Sequence, residues 1–398
     1  MNRTVIVSLL VGYFLFFSQS CTQSWTKAIQ KGKIQDGSFF EIIYSENENG
    51  LLTVPVEIDG EKYRFLFDTG AILSISEKVQ KKLNFKTVSR GNIVDSDNHK
   101  TRVKYVQIDT LFIGEIPFFE QTAFVTDLDK NPVIACMNID GIIGSNLMRH
   151  CSWAIDYQNN QIALFNDTIN LLSNAGYQIP FRSDNQYSQL LQFEFGKAKL
   201  KNLKLDYGSN GSITLPKKGF EVLKQHEIVE KTAKVSGYSQ SGISGKVSEL
   251  KGELALADTI KAGDLKIPEV EIKTGKSGLL GTEVLSRFIV SIDFKTQTIF
   301  LEPVDDTFPD YSTFGFNVGY SGEKQMYVMQ VVENSSAEKA GVTPGMQILK
   351  VDSLLFNSNS PLCDFIQYNS LPKENITLEL LDKSGKREKV DLRKTKIF

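Results

Sequence analysis

The sequence carries almost no net charge: across 398 residues, 45 Lys and Arg stand against 47 Asp and Glu, a balance of −2. That leaves no cationic surface of the kind phosphate backbones or anionic bilayers attract, so nucleic acid is not an expected partner. Histidine is scarce too. His99, His150 and His226 lie far apart and form no recognisable nucleophile–base set, which gives a serine or cysteine hydrolase little support. There is no Cys-x-x-Cys and no Cys/His cluster, so neither a zinc site nor any other cofactor is expected. Biased tracts are absent, and the composition is that of ordinary globular protein. Two Trp against 26 Phe and 13 Tyr lean toward strand-rich structure.

Long apolar runs are missing as well, with one exception at the start. Asn2 and Arg3 precede an apolar run from Val5 to Phe17, and Ser18-Gln19-Ser20-Cys21 follows. The run is too short for a comfortable membrane-spanning helix, and its layout is that of a secretory signal. Its place just before Cys21 resembles a loose bacterial lipoprotein box, which makes Cys21 a lipidation candidate; ordinary cleavage beside a bystander cysteine is the alternative. Residues 1–21 are therefore read as a signal peptide or lipoprotein signal. The protein is expected to be exported: periplasmic, secreted, or held at the outer membrane only through a lipid anchor. For Cys136, Cys151 and Cys363, free buried thiols are the ordinary expectation, with a Cys136–Cys151 pair as the alternative after export.

The pattern repeats. Val54, Val56 and Ile58 alternate, Asp59-Gly60 turns, and Tyr63, Phe65 and Phe67 lead into Asp68-Thr69-Gly70-Ala71. A short helix is expected from Glu77 to Asn84. The second copy alternates through Leu191, Phe193 and Phe195, turns at Gly196-Lys197, and runs through Leu203 and Leu205 into Asp206-Tyr207-Gly208-Ser209. A helix from Pro216 to Gln225 follows. Downstream, Gly141-Ile142-Ile143-Gly144 and Gly278-Leu279-Leu280-Gly281 each precede a Ser/Thr cap, a helical turn and a hairpin. The spacing from Asp68 to Gly141 is 73 residues and that from Asp206 to Gly278 is 72; both glycines stand 15 residues before an aspartate, Asp156 or Asp293. Such agreement marks an internal duplication.

A strand ending in Asp-Thr-Gly-Ala, followed some seventy residues later by an apolar-apolar-Gly segment, resembles the retropepsin-like aspartic proteases. Two such units in one chain resemble the bilobal pepsin arrangement. The resemblance spans about residues 38–303 and implies a mainly β fold, with a pseudo-twofold pair of β-barrel lobes at 38–168 and 178–303. It implies an endopeptidase with Asp68 and Asp206 as catalytic dyad and a polypeptide as substrate. Thr69, Gly70, Ala71, Tyr207, Gly208 and Ser209 would support the two loops. The chemistry suits the residues: two carboxylates held close share one proton, and the ionised one can activate water while the protonated one holds the peptide carbonyl.

Tyr207 departs from the family, which has Thr or Ser there, and so opens two alternatives: an inactive peptide-binding protein using the same cleft, or a protease active only as a dimer through its first lobe. Ser209 has a hydroxyl where Ala71 has none. A hydrogen bond from it to Asp206 would make Asp206 the more readily ionised carboxylate and Asp68 the more often protonated. Flaps are expected at Gly91–Asn98 and Ser236–Gly245, with Ile93 and Tyr238 facing substrate.

Beyond the turn-rich stretch Glu302–Pro309, Phe314-Gly315-Phe316 opens a strand, and Ser335-Ser336-Ala337-Glu338-Lys339-Ala340-Gly341 and Pro344-Gly345 follow. Residues 310–398 thus resemble a bacterial-type PDZ domain. The resemblance implies a peptide or protein C-terminus as partner, with its carboxylate at Phe314, Gly315 and Phe316.

Overall fold

The computed structural model describes residues 24–166, 176–240, 242–304, 310–321, 325–356, 358–369, 371 and 373–398. Cys21 and the expected signal segment lie outside the described residues, as do Ser241 and positions 305–309 of the turn-rich joint. The chain is mainly β.

The first lobe begins with the alternation. Strand Leu51–Ile58 turns at Asp59 and Gly60, both at positive φ, into strand Glu61–Phe67, so that Val54, Val56, Phe65 and Phe67 share the buried face. Strand Ser74–Ser76 runs directly into helix Glu77–Leu83: the Ser76 hydroxyl accepts the Val79 N–H, and Asn84, left-handed at φ 50, ends the helix. Strand Gly141–Ile143 then inserts between two earlier strands, parallel to Glu61–Phe67 and antiparallel to Ser74–Ser76. The second lobe has the same arrangement. Strand Leu279–Leu280 lies parallel to Ala198–Leu205 and antiparallel to Ile213–Pro216, which leads into helix Lys217–Gln225.

A six-stranded antiparallel sheet joins the lobes, with Ser152–Asp156 of the first paired to Phe288–Asp293 of the second. A single apolar core runs beneath both and includes Phe67, Trp153, Leu205, Tyr207 and Ile292. Burial of that shared core, rather than any surface contact, holds the two loops carrying Asp68 and Asp206 at fixed separation.

The C-terminal unit has its own core, built from Val328, Ile348, Leu378, Leu380 and Leu392, with two helices, Ser336–Lys339 and Pro361–Asn369. Strand pairing and a disulfide fix it to the lobes. Strand Thr232–Ser239 of the second lobe pairs antiparallel with Met326–Val332, which makes one continuous fourteen-stranded sheet. A disulfide between Cys136 and Cys363 joins helix Pro132–Cys136 of the first lobe to helix Pro361–Asn369. This corrects the expectation of free thiols, and the alternative Cys136–Cys151 pair with it. Val133 and Cys136 pack on the C-terminal core, whereas Cys151 is buried in the shared core of the lobes and stays free.

Candidate active site

The Asp68 and Asp206 loops are built by the same hydrogen bonds. The Asp68 N–H donates to the Ile143 carbonyl and the Asp206 N–H to that of Leu280, each at 3.0 Å. Ser145 N–H donates to Ala71 O, and Thr282 N–H to Ser209 O. Within each loop the glycine folds back on its aspartate: Gly70 N–H to Asp68 Oδ1 at 2.8 Å, Gly208 N–H to Asp206 Oδ1 at 2.9 Å. Each glycine also faces the opposite carboxylate. A Cβ at Gly70 would lie 2.8 Å from Asp206 Cγ, and one at Gly208 would lie 2.4 Å from Asp68 Cγ. Only glycine allows that approach.

The two carboxyls act directly on each other. Both residues are partly exposed, yet burial of their carboxyls pushes both above the ordinary carboxylate range. Asp206 is raised to about 8, first by burial and then by the charge of Asp68. Asp68 is raised by burial too, but the N–H groups of Gly70 and Ala71 and the Lys204 ammonium oppose it. Burial is thus the largest cause at both carboxyls, and the charge of Asp68 adds to the rise at Asp206. The Ser209 hydroxyl makes no hydrogen bond to Asp206; its backbone N–H donates instead to the Asp206 carbonyl at 3.2 Å. Each carboxylate accepts one loop N–H, from Gly70 or Gly208, and such a bond favours the ionised form.

Thr69 is fully buried and bridges the lobes without a matching hydroxyl from the second loop. Its hydroxyl donates to Leu205 O at 2.8 Å and accepts Tyr207 N–H at 3.0 Å. Tyr207 supplies no answering hydroxyl. Its ring turns into the core and meets Phe67 edge-on at 5.7 Å, and its buried phenol oxygen has no hydrogen-bond partner among the described residues. The opposite loop gains a different brace. Lys204 Nζ donates to Gly70 O at 3.0 Å. Sequence reasoning passed over Lys204 because Lys199, Lys201 and Lys204 look like one solvated face.

The two hairpins expected as flaps meet at their tips. Ser244 Oγ donates to Asp95 Oδ2 at 2.5 Å, Gly242 N–H to Asp97 Oδ2 at 3.1 Å, and Asn131 Nδ2 to Gly242 O at 3.2 Å. Burial would raise Asp95, but the Ser244 hydroxyl and the N–H groups of His99 and Ser244 hold it below the usual range. Ile243 packs against two apolar clusters of the first lobe, one with Leu66 and Ile142 and the other with Ile72 and Tyr105. Ile93 also packs with Trp25 and Tyr105. Tyr238 does not face a cleft: its ring meets Tyr327 edge-on at 6.4 Å, because its strand is paired to the C-terminal unit. Asp95, Asp97 and Asn131 went unread in the sequence, since short polar residues in a turn have an ordinary local use.

In the C-terminal unit, Gly315 has φ 86, and a Cβ there would lie 1.9 Å from Ser335 Cβ. Its N–H donates to Thr313 Oγ1, and Phe314 and Phe316 flank it, the first buried and the second half-buried. Strand Phe316–Tyr320 pairs only with Met326–Val332 among the described residues, so its other edge carries no strand.

Residues 54–147 match the family model described as aspartyl protease. That segment holds Asp68-Thr69-Gly70 and Gly141–Gly144 and stops before the second lobe. No curated protein matches the chain. Among solved structures it is similar to a retropepsin-like aspartic protease from Rickettsia conorii, at 18% identity over 33% of this chain and 96% of that one, with a TM-score of 0.25. The family match supports an aspartyl protease, a peptidase of the hydrolase class.

Proposed function

We propose that the chain is an aspartic endopeptidase whose Asp68 and Asp206 share one proton and activate a water molecule for attack on a peptide bond. The observation that carries this reading is the matched hydrogen bonding of the two loops, with each glycine against the opposite carboxylate. In this mechanism Asp68, ionised, takes a proton from the water as its oxygen bonds to the carbonyl carbon. Asp206, protonated, donates to the carbonyl oxygen. The tetrahedral intermediate then collapses as a proton passes from the dyad to the leaving amine and the C–N bond breaks. No metal or covalent enzyme intermediate is required by these steps.

The two lobes are read as a duplicated pseudo-twofold barrel pair, with Thr69 as the remaining half of their hydroxyl brace. The C-terminal unit is read as a PDZ domain that takes a peptide or protein C-terminus at the open edge of Phe316–Tyr320 beside Phe314-Gly315-Phe316. In the same reading the protein is exported, and Cys21 is the candidate for a lipid anchor. The interlocked tips describe a closed form, so substrate entry requires the Asp95–Ser244 and Asp97–Gly242 contacts to part.

One observation favours a second reading. The family match covers the first lobe alone, as it would if two first lobes from separate chains supplied the dyad and the second lobe were structural. Cleavage of a peptide library by wild type, Asp68→Asn and Asp206→Asn separates the readings. Loss in both variants supports the intramolecular dyad, and loss in Asp68→Asn alone supports the dimer. Peptide binding without cleavage by wild type would refute the enzyme and leave a docking groove.

A further inference from the structure

Lys204 breaks the symmetry of the site. Strand register makes it the counterpart of Leu66: Leu66 lies opposite Ile142, and Lys204 opposite Leu279 at the equivalent place of the second lobe. Leu66 is buried in an apolar cluster with Leu51, Met137 and Ile142. Lys204 instead crosses from the second lobe to the first and donates to Gly70 O, one residue from Thr69 and two from Asp68. The contact lies on the side where Tyr207, turned into the core, gives no hydroxyl brace.

Few charges reach the dyad. Among the described residues, the largest effects on Asp68 and Asp206 come from burial, each other, Lys204, and the N–H donors of Gly70, Ala71 and Gly208. Tyr207 points away, and Tyr157 acts on Tyr207 rather than on the carboxyls. Lys273, Glu271, Glu283 and Arg287 of the second lobe form a separate cluster with Tyr311 of the C-terminal unit. Lys204 acts on both carboxyls, and its attraction for each opposes the effect of burial.

We propose that Lys204 is a positioning residue of this site: its ammonium ties the second lobe to the first aspartate loop and supplies the fixed positive charge that keeps one of the two carboxyls ionised. The inference rests on the endopeptidase reading, and in it one lysine replaces the second half of a symmetric brace.

The test is a carboxyl titration of the full chain by ¹³C NMR with labelled aspartate, in wild type, Lys204→Met and Lys204→Arg, with Asp68→Asn and Asp206→Asn to assign the signals. The pH profile of kcat/KM is measured in parallel. Lys204→Met should move the apparent pKa values of the pair up by about one unit, and the acid limb of the profile by the same amount. Lys204→Arg should restore both. Unmoved titration in Lys204→Met overturns the proposal; so does an equal shift in Lys204→Arg, which would mark a packing effect rather than charge. If Lys204→Met does not fold, Lys204→Gln is titrated under the same criteria. A shifted titration in a protein that cleaves nothing would support the charge coupling while refuting the endopeptidase reading.

Discussion

Replacing Thr69 with Val removes one oxygen and little volume, yet it cuts both bonds by which this residue joins the lobes. The Leu205 carbonyl loses its donor and the Tyr207 N–H its acceptor, at 2.8 and 3.0 Å. Thr69 is fully buried, so water cannot readily replace either partner. A buried polar group left unpaired costs about 1–3 kcal/mol, which puts Thr69→Val at about 2–5 kcal/mol. That is a large share of a typical folding stability of about 5–15 kcal/mol. Thr69→Ser keeps the hydroxyl and loses one methyl, a loss of about 1 kcal/mol. Urea unfolding followed by tryptophan fluorescence reads the difference, since Trp153 is buried against Phe67 in the core beneath both loops. The reasoning is refuted if Thr69→Val stays within about 0.5 kcal/mol of wild type, a difference ordinary for sites without special contacts. It is refuted as well if Thr69→Ser costs as much as Thr69→Val.

Other consequences follow from the same geometry. The Tyr207 phenol has no hydrogen-bond partner among the described residues, so Tyr207→Phe should be neutral or stabilising by about 1 kcal/mol in the same assay; a clear destabilisation would reveal a partner. Asp206 has its folded pKa raised to about 8, so between about pH 4 and that value the native state binds more protons than the unfolded one. Stability should therefore fall as pH rises through that window and be fully penalised above it; melts of Asp206→Asn should lack this slope. The Cys136–Cys363 bridge spans 227 residues of sequence, and the chain-entropy relation gives it about 5 kcal/mol. Reductant should lower the unfolding midpoint and speed amide exchange in strand Met326–Val332, and an unchanged midpoint would deny the bridge that role.

How much of this was legible depended on how local the cause was. The hairpin through Asp59-Gly60 and the helices at Glu77 and Lys217 follow from alternation and capping within a few residues, and the structure places them where the pattern does. The two aspartates were legible because a repeat with matched spacing identified them. Contacts between distant segments were not. Nothing near Cys136 or Cys363 in sequence indicates that two helices meet there. Tyr238 lay in a hairpin that looked free, but pairing of Val235 with Val332 turned its ring toward Tyr327. Ser209 illustrates a subtler failure: a hydroxyl next to an aspartate in sequence does not fix which way it points, and here the backbone N–H made the bond instead. Lys204 was hidden by its neighbours, since alternate lysines on one strand look alike until register sets one of them against the site.

The claim that Asp68 and Asp206 work as one intramolecular pair is tested most directly by the kcat/KM of Asp206→Asn on a peptide that wild type cleaves, measured over a wide range of protein concentration. The account predicts a loss on the order of 10²–10⁴-fold, the same at every concentration. Cleavage by Asp206→Asn at the wild-type rate, or cleavage that returns as concentration favours dimers, would contradict it.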